Sequence, residues 1–361
     1  MTDTADRQFM AHALALAERG LYTTTPNPRV GCVLVRDGAV VGEGWHARAG
    51  EAHAEVIALK AAGERARGAT AYVTLEPCHH HGRTPPCDAA LIAAGVARVV
   101  AAMQDPDPRT AGQGLARLRA ATIETHCGVM ETQARELNIG FVSRVTRGRP
   151  WLRMKIAASL DGRTALANGQ SQWITGAAAR RDGHHWRARA CAVLAGIGTV
   201  KDDDPQLNVR EVETTRQPLR VIVDSRLETP PSAKILGGSG VLIFCARDDG
   251  AKGKALRQRG AEIVVLPNAA GKVELPALLA ELGRRGINEL HVEAGHKLNG
   301  SLINEDCVDE LLLYLAPCLL GDTAAGMAAL PALTSLAARR QLVIHETRMI
   351  HGDLRILARF V

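Results

Sequence analysis

Four residues in the first quarter of the chain have the types and the order that a zinc-activated water requires. His53 supplies an imidazole, Cys78 and Cys87 supply two potential thiolates, and Glu55 supplies a carboxylate. A catalytic zinc takes about three protein ligands and keeps one position open for water. The set therefore predicts that His53, Cys78 and Cys87 bind the metal. The chemistry that such a site performs is hydrolytic deamination of an amino-substituted ring.

Glu55 is predicted to be the catalytic acid and base rather than a fourth ligand. It lies two positions from His53, and residues two apart do not share a face of a regular helix. Beside the metal, its carboxylate can take a proton from the water and deliver it to the departing amine. A metal-bound carboxylate would stay ionised and could not make this exchange.

Two plainer interpretations of these residues stay open at this point. Cys78 and Cys87 could be buried structural cysteines beside a surface His-x-Glu pair. Alternatively, the zinc could be structural and take a fourth protein ligand, which His79, His80 or His81 stand close enough to supply.

The spacing of the two cysteines departs from the general deaminase signature. That signature has two residues between its cysteines, whereas residues 79–86 separate Cys78 from Cys87 here. The inserted segment is polar and basic. We expect it to line the pocket of a small anionic ligand.

The second half of the chain contains two further features that bear on chemistry. Lys155 stands between Met154 and Ile156 in a run otherwise suited to burial, so it belongs either to a sheet edge or to a site. No Gly-x-Gly-x-x-Gly motif opens a helix after a strand, which argues against an ordinary Rossmann domain. Instead, a strand at 290–292 runs into Glu293 and a short helical stretch at 296–302, where backbone amides can bind a nucleotide phosphate.

The elements that must position these residues alternate between strands and helices. This order predicts an α/β fold, with a mostly parallel sheet in the first domain and a second α/β domain after a boundary at residues 146–150. The first domain is predicted to have strands at 30–35, 40–43, 71–75 and 96–102 and helices at 9–19, 53–60 and 87–94. The second is predicted to have strands at 151–158, 192–195, 219–223, 241–245, 262–266, 289–292 and 310–315 and helices at 177–190 and 275–285.

Composition excludes several classes of protein. The chain of 361 residues has a net charge of +6 but no dense Lys/Arg run, and its aromatic content of 3% is too low for a surface of stacked bases. No nucleic-acid partner is therefore expected. The apolar stretch at 311–320 is interrupted by Pro317 and is too short to span a membrane. A polar N-terminus and eight scattered cysteines predict a reducing, cytoplasmic location.

Longer motifs make the chain similar to a known family, the bifunctional riboflavin-biosynthesis proteins that join a pyrimidine deaminase to a pyrimidine reductase. The resemblance covers essentially the whole chain. Its motifs are residues 25–32, 53–55 and 75–87 in the first half, and residues 155–163, 171–175, 203–205 and 292–295 in the second.

The resemblance implies a cytidine-deaminase-like three-layer fold for residues 1–147 and a dihydrofolate-reductase-like fold for residues 148–361. The first domain would deaminate a pyrimidinone that carries a phosphoribosylamino group, with Asn27 orienting the ring. The second would use NADPH to reduce the ribosyl group to a ribityl chain. Zn²⁺ and NADPH are thus the implied cofactors, the partner is a small phosphorylated pyrimidine, and a homo-oligomer is expected.

The resemblance also assigns roles within the reductase half. Lys155 would be catalytic, as a cation beside the ribose oxygen. The implied substrate-binding residues are Ser171, Arg187, Leu207, Arg210 and Glu293, with the two arginines holding the phosphate. The implied NADPH-binding residues are Ala157, Trp173, Thr199, Asp203, Ser225, Gly295, His296, Lys297, Leu298, Asn299, Gly300 and Ser301. Lys297 is equally compatible with a solvated side chain. Trp173 is also compatible with a core position, but its Ser-Gln-Trp-Ile-Thr context favours the cofactor role.

Three other functions compete with this interpretation. A nucleic-acid deaminase would require a basic tract with interleaved aromatic residues. A non-catalytic zinc module would have a fourth protein ligand and would be insensitive to Glu55→Gln. A chain with one decayed active site would lack part of a motif set, and neither set lacks a member.

Overall fold

The computed structural model describes residues 4–79, 85–238 and 240–361. It divides into two compact units, Met1–Gly148 and Arg149–Val361. The last helix of unit 1 runs to Arg147, and Gly148 ends it with a left-handed φ of 69°. The residues that form the boundary are therefore partly helical.

Unit 1 contains a five-stranded sheet of order β2-β1-β3-β4-β5. Its elements are, in chain order, α1 (Thr4–Glu18), β1 (Gly31–Arg36), β2 (Ala39–Trp45), α2 (Ala54–Ala62), β3 (Thr70–Val73), α3 (Cys87–Ala94), β4 (Arg98–Ala101), α4 (Gln113–Ala120), β5 (Glu124–Cys127), α5 (Glu131–Leu137) and α6 (Ile139–Arg147).

The sheet of unit 1 is mixed, which corrects the predicted mostly parallel arrangement. β1 is antiparallel to both of its neighbours, β2 and β3, whereas β3, β4 and β5 are parallel. The antiparallel pairing of β1 with β2 follows from the tight two-residue turn between them, where Asp37 and Gly38 both have positive φ.

Helices pack on both faces of this sheet. A Cβ on Gly31 would lie 2.0 Å from the carbonyl oxygen of Ala13 in α1, and one on Gly44 would lie 2.7 Å from that of Ala54 in α2. Gly44 is paired with Cys32, the neighbour of Gly31, so the two glycines point to opposite faces. The close approach of α2 brings its first turn, which contains Glu55, down onto the sheet.

Unit 2 contains a nine-stranded sheet of order β11-β10-β9-β8-β12-β6-β13-β16-β15 and a small sheet of β14 and β7. Its elements are β6 (Trp151–Ser159), β7 (Arg163–Ala165), α7 (Ala177–Arg189), β8 (Ala192–Gly196), α8 (Ile197–Asp203), β9 (Leu219–Val223), β10 (Val241–Cys245), α9 (Gly250–Gln258), β11 (Ala261–Val265), α10 (Leu275–Arg284), β12 (Glu289–Val292), α11 (His296–Asn304), β13 (Glu310–Ala316), β14 (Ala325–Gly326), β15 (Leu342–Ile350) and β16 (Asp353–Phe360). In the order of the large sheet, the first seven strands, from β11 to β13, are parallel to one another. β16 is antiparallel to β13, and β15 is antiparallel to β16.

The two faces of the central strands differ in chemistry. One face contributes Leu152 and Met154 to the main apolar cluster, which includes residues of α10 and α11. On the other face, buried Arg153 bonds to Glu289 at 3.1 Å and to Glu310. Because side chains alternate along a strand, this charged face continues to Lys155 on β6.

Among the described residues, no helix is both long and apolar enough to cross a membrane.

Candidate active sites

Three predicted ligands converge in unit 1. The Nδ1 atom of His53 lies 3.2 Å from Cys87 Sγ and 3.6 Å from Cys78 Sγ. The three ligand atoms lie within 4.8 Å of one another, and this is the cluster of possible metal ligands found among the described residues.

This donor set fits zinc. Tetrahedral zinc with ordinary Zn–N and Zn–S bond lengths separates a nitrogen ligand from a sulfur ligand by about 3.6 Å. The distances from His53 to the two sulfurs are close to that value. Among the described residues, two thiolates and one imidazole are the ligands, and this leaves a fourth position, as in a catalytic zinc site.

Helix termini and hydrogen bonds favour the thiolate form that zinc needs. Cys87 is the first residue of α3, with Pro86 as its N-cap and Gly95 closing the helix in a left-handed conformation, as the sequence predicts. The backbone N–H of Cys87 donates to Cys78 Sγ at 3.3 Å. The side-chain hydrogen bond with Cys87 lowers the pKa of Cys78, whereas the same contact and burial raise the pKa of Cys87, so Cys78 is the thiolate of the pair.

Glu55 lies beside the cluster and outside it. It is the second residue of α2, whose N-cap is His53, and its side chain is buried, with only 3% of the residue exposed. Burial, reinforced by the charge of Cys78, raises the pKa of Glu55 to about 7. A carboxyl group with this pKa can both accept and release a proton near neutral pH.

Asn27 is held at this site by a histidine that the sequence analysis did not identify. The amide nitrogen of Asn27 lies 3.0 Å from His46 Nε2, and His46 Nδ1 lies 3.1 Å from the carbonyl oxygen of Ala52. Since only Nδ1–H can donate to that carbonyl, Nε2 accepts from the Asn27 amide. The rings of His46 and His53 meet edge to face at 5.3 Å. The one available signal was the position of His46 directly after β2.

His79 does not join the metal cluster. Its Nδ1 atom lies 2.7 Å from Asp88 Oδ2, and Arg117 approaches the other carboxylate oxygen at 3.4 Å. Asp88 is fully buried, so it fixes the orientation of His79. His80 and His81 lie outside the described residues, as does most of the predicted anion-binding segment 79–86.

We expect Cys87→Ser to remove the metal. Purified wild type should contain about one zinc per chain by mass spectrometry, and the variant less than roughly a tenth of that, because a serine hydroxyl is a poor zinc ligand. Cys318→Ser, at an exposed free cysteine, is the matched control and should retain the metal. Equal zinc content in wild type and Cys87→Ser would contradict this ligand set.

In unit 2, the predicted reductase residues surround one large cleft of about 1390 Å³. The cleft lies at the carboxyl ends of parallel strands β9, β8, β12 and β6, where ligands bind in open α/β sheets. Its lining includes Lys155, Ala157, Ser171, Trp173, Arg187, Thr199, Asp203, Leu207, Arg210, Ser225, Glu293, Gly295, His296, Lys297, Leu298, Asn299 and Ser301.

Glu293 is the centre of a charged cluster in this cleft. Arg187 donates from Nε to Oε1 of Glu293 and from Nη2 to Oε2, the latter bond at 2.9 Å. Lys155 Nζ lies 3.9 Å from the same Oε2 atom. Burial opposes ionisation, but Arg187 holds the pKa of Glu293 well below its usual range. Burial lowers the pKa of Lys155, and the charge of Glu293 opposes this effect. Lys155 therefore faces a site and not a sheet edge, since β6 is an inner strand.

The two arginines predicted to hold the phosphate lie near each other. Arg187 donates through Nη1 to the carbonyl oxygen of Asn208 at 3.1 Å, and Arg210 donates to Asn208 Oδ1 at 2.6 Å. Their contact with a phosphate stays a prediction.

Trp173 is not a core residue. It is 69% exposed, and the guanidinium of Arg180 lies 4.5 Å from the centre of its ring. Arg180 also lines the cleft and donates to the carbonyl oxygen of Thr175 at 2.8 Å. The sequence analysis missed Arg180 because an arginine on an amphipathic helix is normally solvated.

Gly300 is the one predicted cofactor residue that does not line the cleft. It lies within α11, which begins after Gly295 as predicted. A Cβ at Gly300 would lie 2.2 Å from the carbonyl oxygen of Ala329. Glycine is therefore required there for packing against the following loop, while the exposed turn of α11 faces the cleft.

Two family models match separate parts of the chain. Residues 3–103 match the cytidine and deoxycytidylate deaminase zinc-binding region, and residues 150–347 match the RibD C-terminal domain. The chain is 48% identical to the riboflavin biosynthesis protein RibD of Escherichia coli, over 97% of this chain and 98% of that protein. It is also 48% identical to that of Haemophilus influenzae, over 97% and 96%.

The chain is also similar to solved structures of proteins with this two-part composition. The chain is similar to Acinetobacter baumannii RibD, with a TM-score of 0.92 and 42% identity over 99% of both chains. It is also similar to a diaminohydroxyphosphoribosylaminopyrimidine deaminase and 5-amino-6-(5-phosphoribosylamino)uracil reductase of Thermotoga maritima, with a TM-score of 0.88 and 30% identity over 99% of both chains.

Proposed function

The chain belongs to the RibD family of bifunctional riboflavin-biosynthesis enzymes, and we propose that it catalyses both reactions on one phosphorylated pyrimidine. The zinc-dependent deaminase, assigned to residues 1–147, removes an amino group from the diaminopyrimidinone that carries a phosphoribosylamino group. The NADPH-dependent reductase, assigned to residues 148–361, then converts the ribosyl group to ribityl. The observation that carries the proposal is the three-ligand cluster of His53, Cys78 and Cys87 with a buried, non-ligating Glu55 beside it.

In the deaminase, His53, Cys78 and Cys87 would hold the zinc, which when bound would lower the pKa of a water molecule. Glu55 takes a proton from the water whose oxygen adds to the ring carbon and delivers it to the departing amine, so that a carbon–oxygen bond replaces the carbon–nitrogen bond and ammonia leaves. Burial of Glu55 excludes bulk water from this exchange.

Asn27 orients the pyrimidine ring. One N–H of its amide donates to His46 at 3.0 Å, which fixes the orientation of the amide and leaves its oxygen as an acceptor for the substrate. The Asn27 amide oxygen can accept a hydrogen bond from an N–H group of an aminopyrimidine. His46 thus selects which end of the amide the substrate meets.

In the reductase, NADPH when bound would supply a hydride, and the backbone amides at the start of α11 would bind its phosphates. Lys155 donates a proton to the ribose ring oxygen, so that the ring carbon–oxygen bond breaks and the anomeric carbon accepts the hydride. Glu293 stabilises the ammonium form of Lys155 that this step requires. Arg187 orients Glu293, and Arg210 offers its remaining donors to the substrate phosphate.

One experiment tests both reactions together. Purified protein is given the aminated pyrimidine phosphate, and ammonia release and NADPH absorbance are followed in the same sample. We expect ammonia first and NADPH oxidation after it. If NADPH is oxidised without ammonia release, the proposed order is wrong, and if neither signal appears, the proposed substrate is wrong.

We expect Glu293→Gln to move the alkaline limb of the reductase pH profile to lower pH. The reaction requires protonated Lys155, so activity falls as pH rises through the pKa of Lys155. Glu293 raises that pKa, and its neutralisation therefore lowers it. The measurement is the pH dependence of kcat for NADPH oxidation. Glu305→Gln is the control and should leave the limb in place, because Glu305 lines the cleft but the charges that shift the pKa of Lys155 are those of Glu293 and Arg187. An unmoved limb in Glu293→Gln would contradict the role of Glu293.

We further propose that the enzyme acts in the cytoplasm as a homo-oligomer. All eight cysteines are free thiols, and two of them must be thiolates to bind zinc. A reducing compartment preserves both states.

A further inference from the structure

Trp173 is an exposed aromatic side chain at the wall of the reductase cleft. It is 69% exposed and lines the cleft. The other three tryptophans of the chain, Trp45, Trp151 and Trp186, are half-buried and do not line it. Aromatic side chains in the wall of a cleft are typical of ligand-binding surfaces. The position of Trp173 therefore indicates a contact with whatever the cleft binds.

Hydrogen bonds hold the chain on both sides of Trp173. On the preceding side, Gln172 Nε2 donates to Asp203 Oδ1 at the end of α8, at 3.2 Å. On the following side, the backbone N–H of Gly176 donates to Oδ2 of the buried Asp353 in β16, at 2.7 Å. Trp173 is therefore carried on a short segment that is tied to two separate elements of unit 2.

Arg180 fixes the indole ring itself. Its guanidinium lies over the Trp173 ring, 4.5 Å from the ring centre. The same guanidinium donates from Nη1 to the carbonyl oxygen of Thr175 at 2.8 Å, so it is bonded to the segment that carries the indole. A planar guanidinium can stack on an aromatic ring and donate hydrogen bonds in its own plane at the same time. One face of the indole is thus covered by Arg180, and the exposed part of the ring is open to the cleft.

Helix stability does not account for an arginine at this position. Arg180 is the fourth residue of α7, whose N-cap is Gly176 and whose first turn contains no acidic residue. The positive end of the helix dipole disfavours a cation in the first turn. The contact with Trp173 therefore offsets an unfavourable charge, which points to a role in the cleft.

We propose that Arg180 is a positioning residue for the cofactor, because it holds the Trp173 indole in place before NADPH binds. An indole without this support would lose its freedom of rotation only on binding, and that ordering would weaken the affinity. The inference rests on the proposed binding of NADPH in this cleft. Arg180 acts through Trp173 and not on the reacting atoms.

The first test is the dissociation constant of NADPH, measured by calorimetry on the full chain. Arg180→Met keeps the length of the side chain but removes the planar cation, and it should raise the dissociation constant about 5-fold to 10-fold. Arg180→Lys keeps the charge but not the planar group, so its binding should stay weak. Arg181→Met is the matched control. It removes the same charge from the next position of α7, but Arg181 is exposed and does not line the cleft, so its affinity should equal that of wild type.

A double-mutant cycle shows whether Arg180 acts through Trp173. Trp173→Leu alone should weaken NADPH binding at least as much as Arg180→Met does. The double variant should bind no more weakly than Trp173→Leu, because the arginine has no indole left to hold. If the two losses add, or if Arg180→Lys restores the wild-type affinity, Arg180 meets the anionic cofactor directly as a charge and the proposal is wrong.

A second measurement follows the ring in the cofactor-free protein. The time-resolved anisotropy of tryptophan fluorescence should show a fast local rotation in Arg180→Met that is absent from wild type and from Arg181→Met. The double variant should lack this rotation, which assigns it to Trp173. Each variant should keep the circular dichroism spectrum of wild type, since no buried side chain is changed.

The outcomes separate this role from the proposed reductase. An anisotropy decay that Arg180→Met leaves unchanged would overturn the positioning role. Wild-type affinity for NADPH in Arg180→Met would also overturn it, while leaving the reductase intact. A wild-type protein that binds no NADPH would overturn the reductase and this role together.

Discussion

Replacing Glu55 by Gln is expected to stop ammonia release while the protein keeps its zinc. Proton transfer by a positioned carboxyl group contributes up to about 10⁴-fold to a reaction of this kind, so we expect kcat for ammonia release to fall by at least about 10³-fold. The amide keeps the size of the side chain but cannot accept the proton of the water. Because Glu55 lies outside the ligand cluster, the metal content should not change.

The control for this prediction is Glu51→Gln. Glu51 is exposed and lies two positions before His53, as Glu55 lies two positions after it. The control should release ammonia at the wild-type rate. NADPH oxidation in Glu55→Gln should also be normal when the deaminated pyrimidine is supplied directly. If Glu55→Gln loses zinc, the residue is a ligand and the proposed proton transfer is wrong.

Elements with strong local signals were predicted to within a few residues. α3 begins at Cys87 and ends at Ala94, as predicted, since a proline before it and Gly95 after it define both ends. β9, β10 and β12 likewise have the predicted bounds, and in β10 a continuous apolar run is typical of an inner parallel strand.

Other elements could not be predicted from local pattern. The direction of β1 relative to β3 depends on which strands become neighbours, and side-chain alternation carries no direction. β15 was not predicted, because its residues are exposed on both faces and show no apolar alternation. α8 and α9 are short, and α9 contains Gly250 and Gly253, which lower helix propensity.

The two sites differed in how much of them the sequence could predict. The zinc ligands have types and neighbours that specify one chemistry, so their convergence was expected. The reductase residues came from resemblance, and their mutual contacts are new. Arg187 and Glu293 are more than 100 residues apart in the chain, and no local pattern indicates that one guanidinium binds that carboxylate through two nitrogens. His46 was missed for a similar reason, since its role depends on the position of Asn27.

Replacing Lys155 by Met is expected to abolish NADPH oxidation and to spare ammonia release. The methionine matches the aliphatic length of the lysine, so packing on the inner strand β6 should be retained. It has no proton to give to the ribose oxygen, and we expect kcat for NADPH oxidation to fall by about 10³-fold. The measurement follows ammonia and NADPH in one sample with the aminated substrate.

Lys254→Met provides the control for this variant. Lys254 is exposed on α9 and does not line the cleft, so the same substitution there should leave both signals unchanged. In Lys155→Met, the deaminated pyrimidine should accumulate, and its binding should weaken less than kcat falls, because Arg210, which we propose binds the phosphate, is unchanged. A folded Lys155→Met protein that loses both ammonia release and NADPH oxidation would contradict separate sites, and one that retains NADPH oxidation would show that another group protonates the ribose.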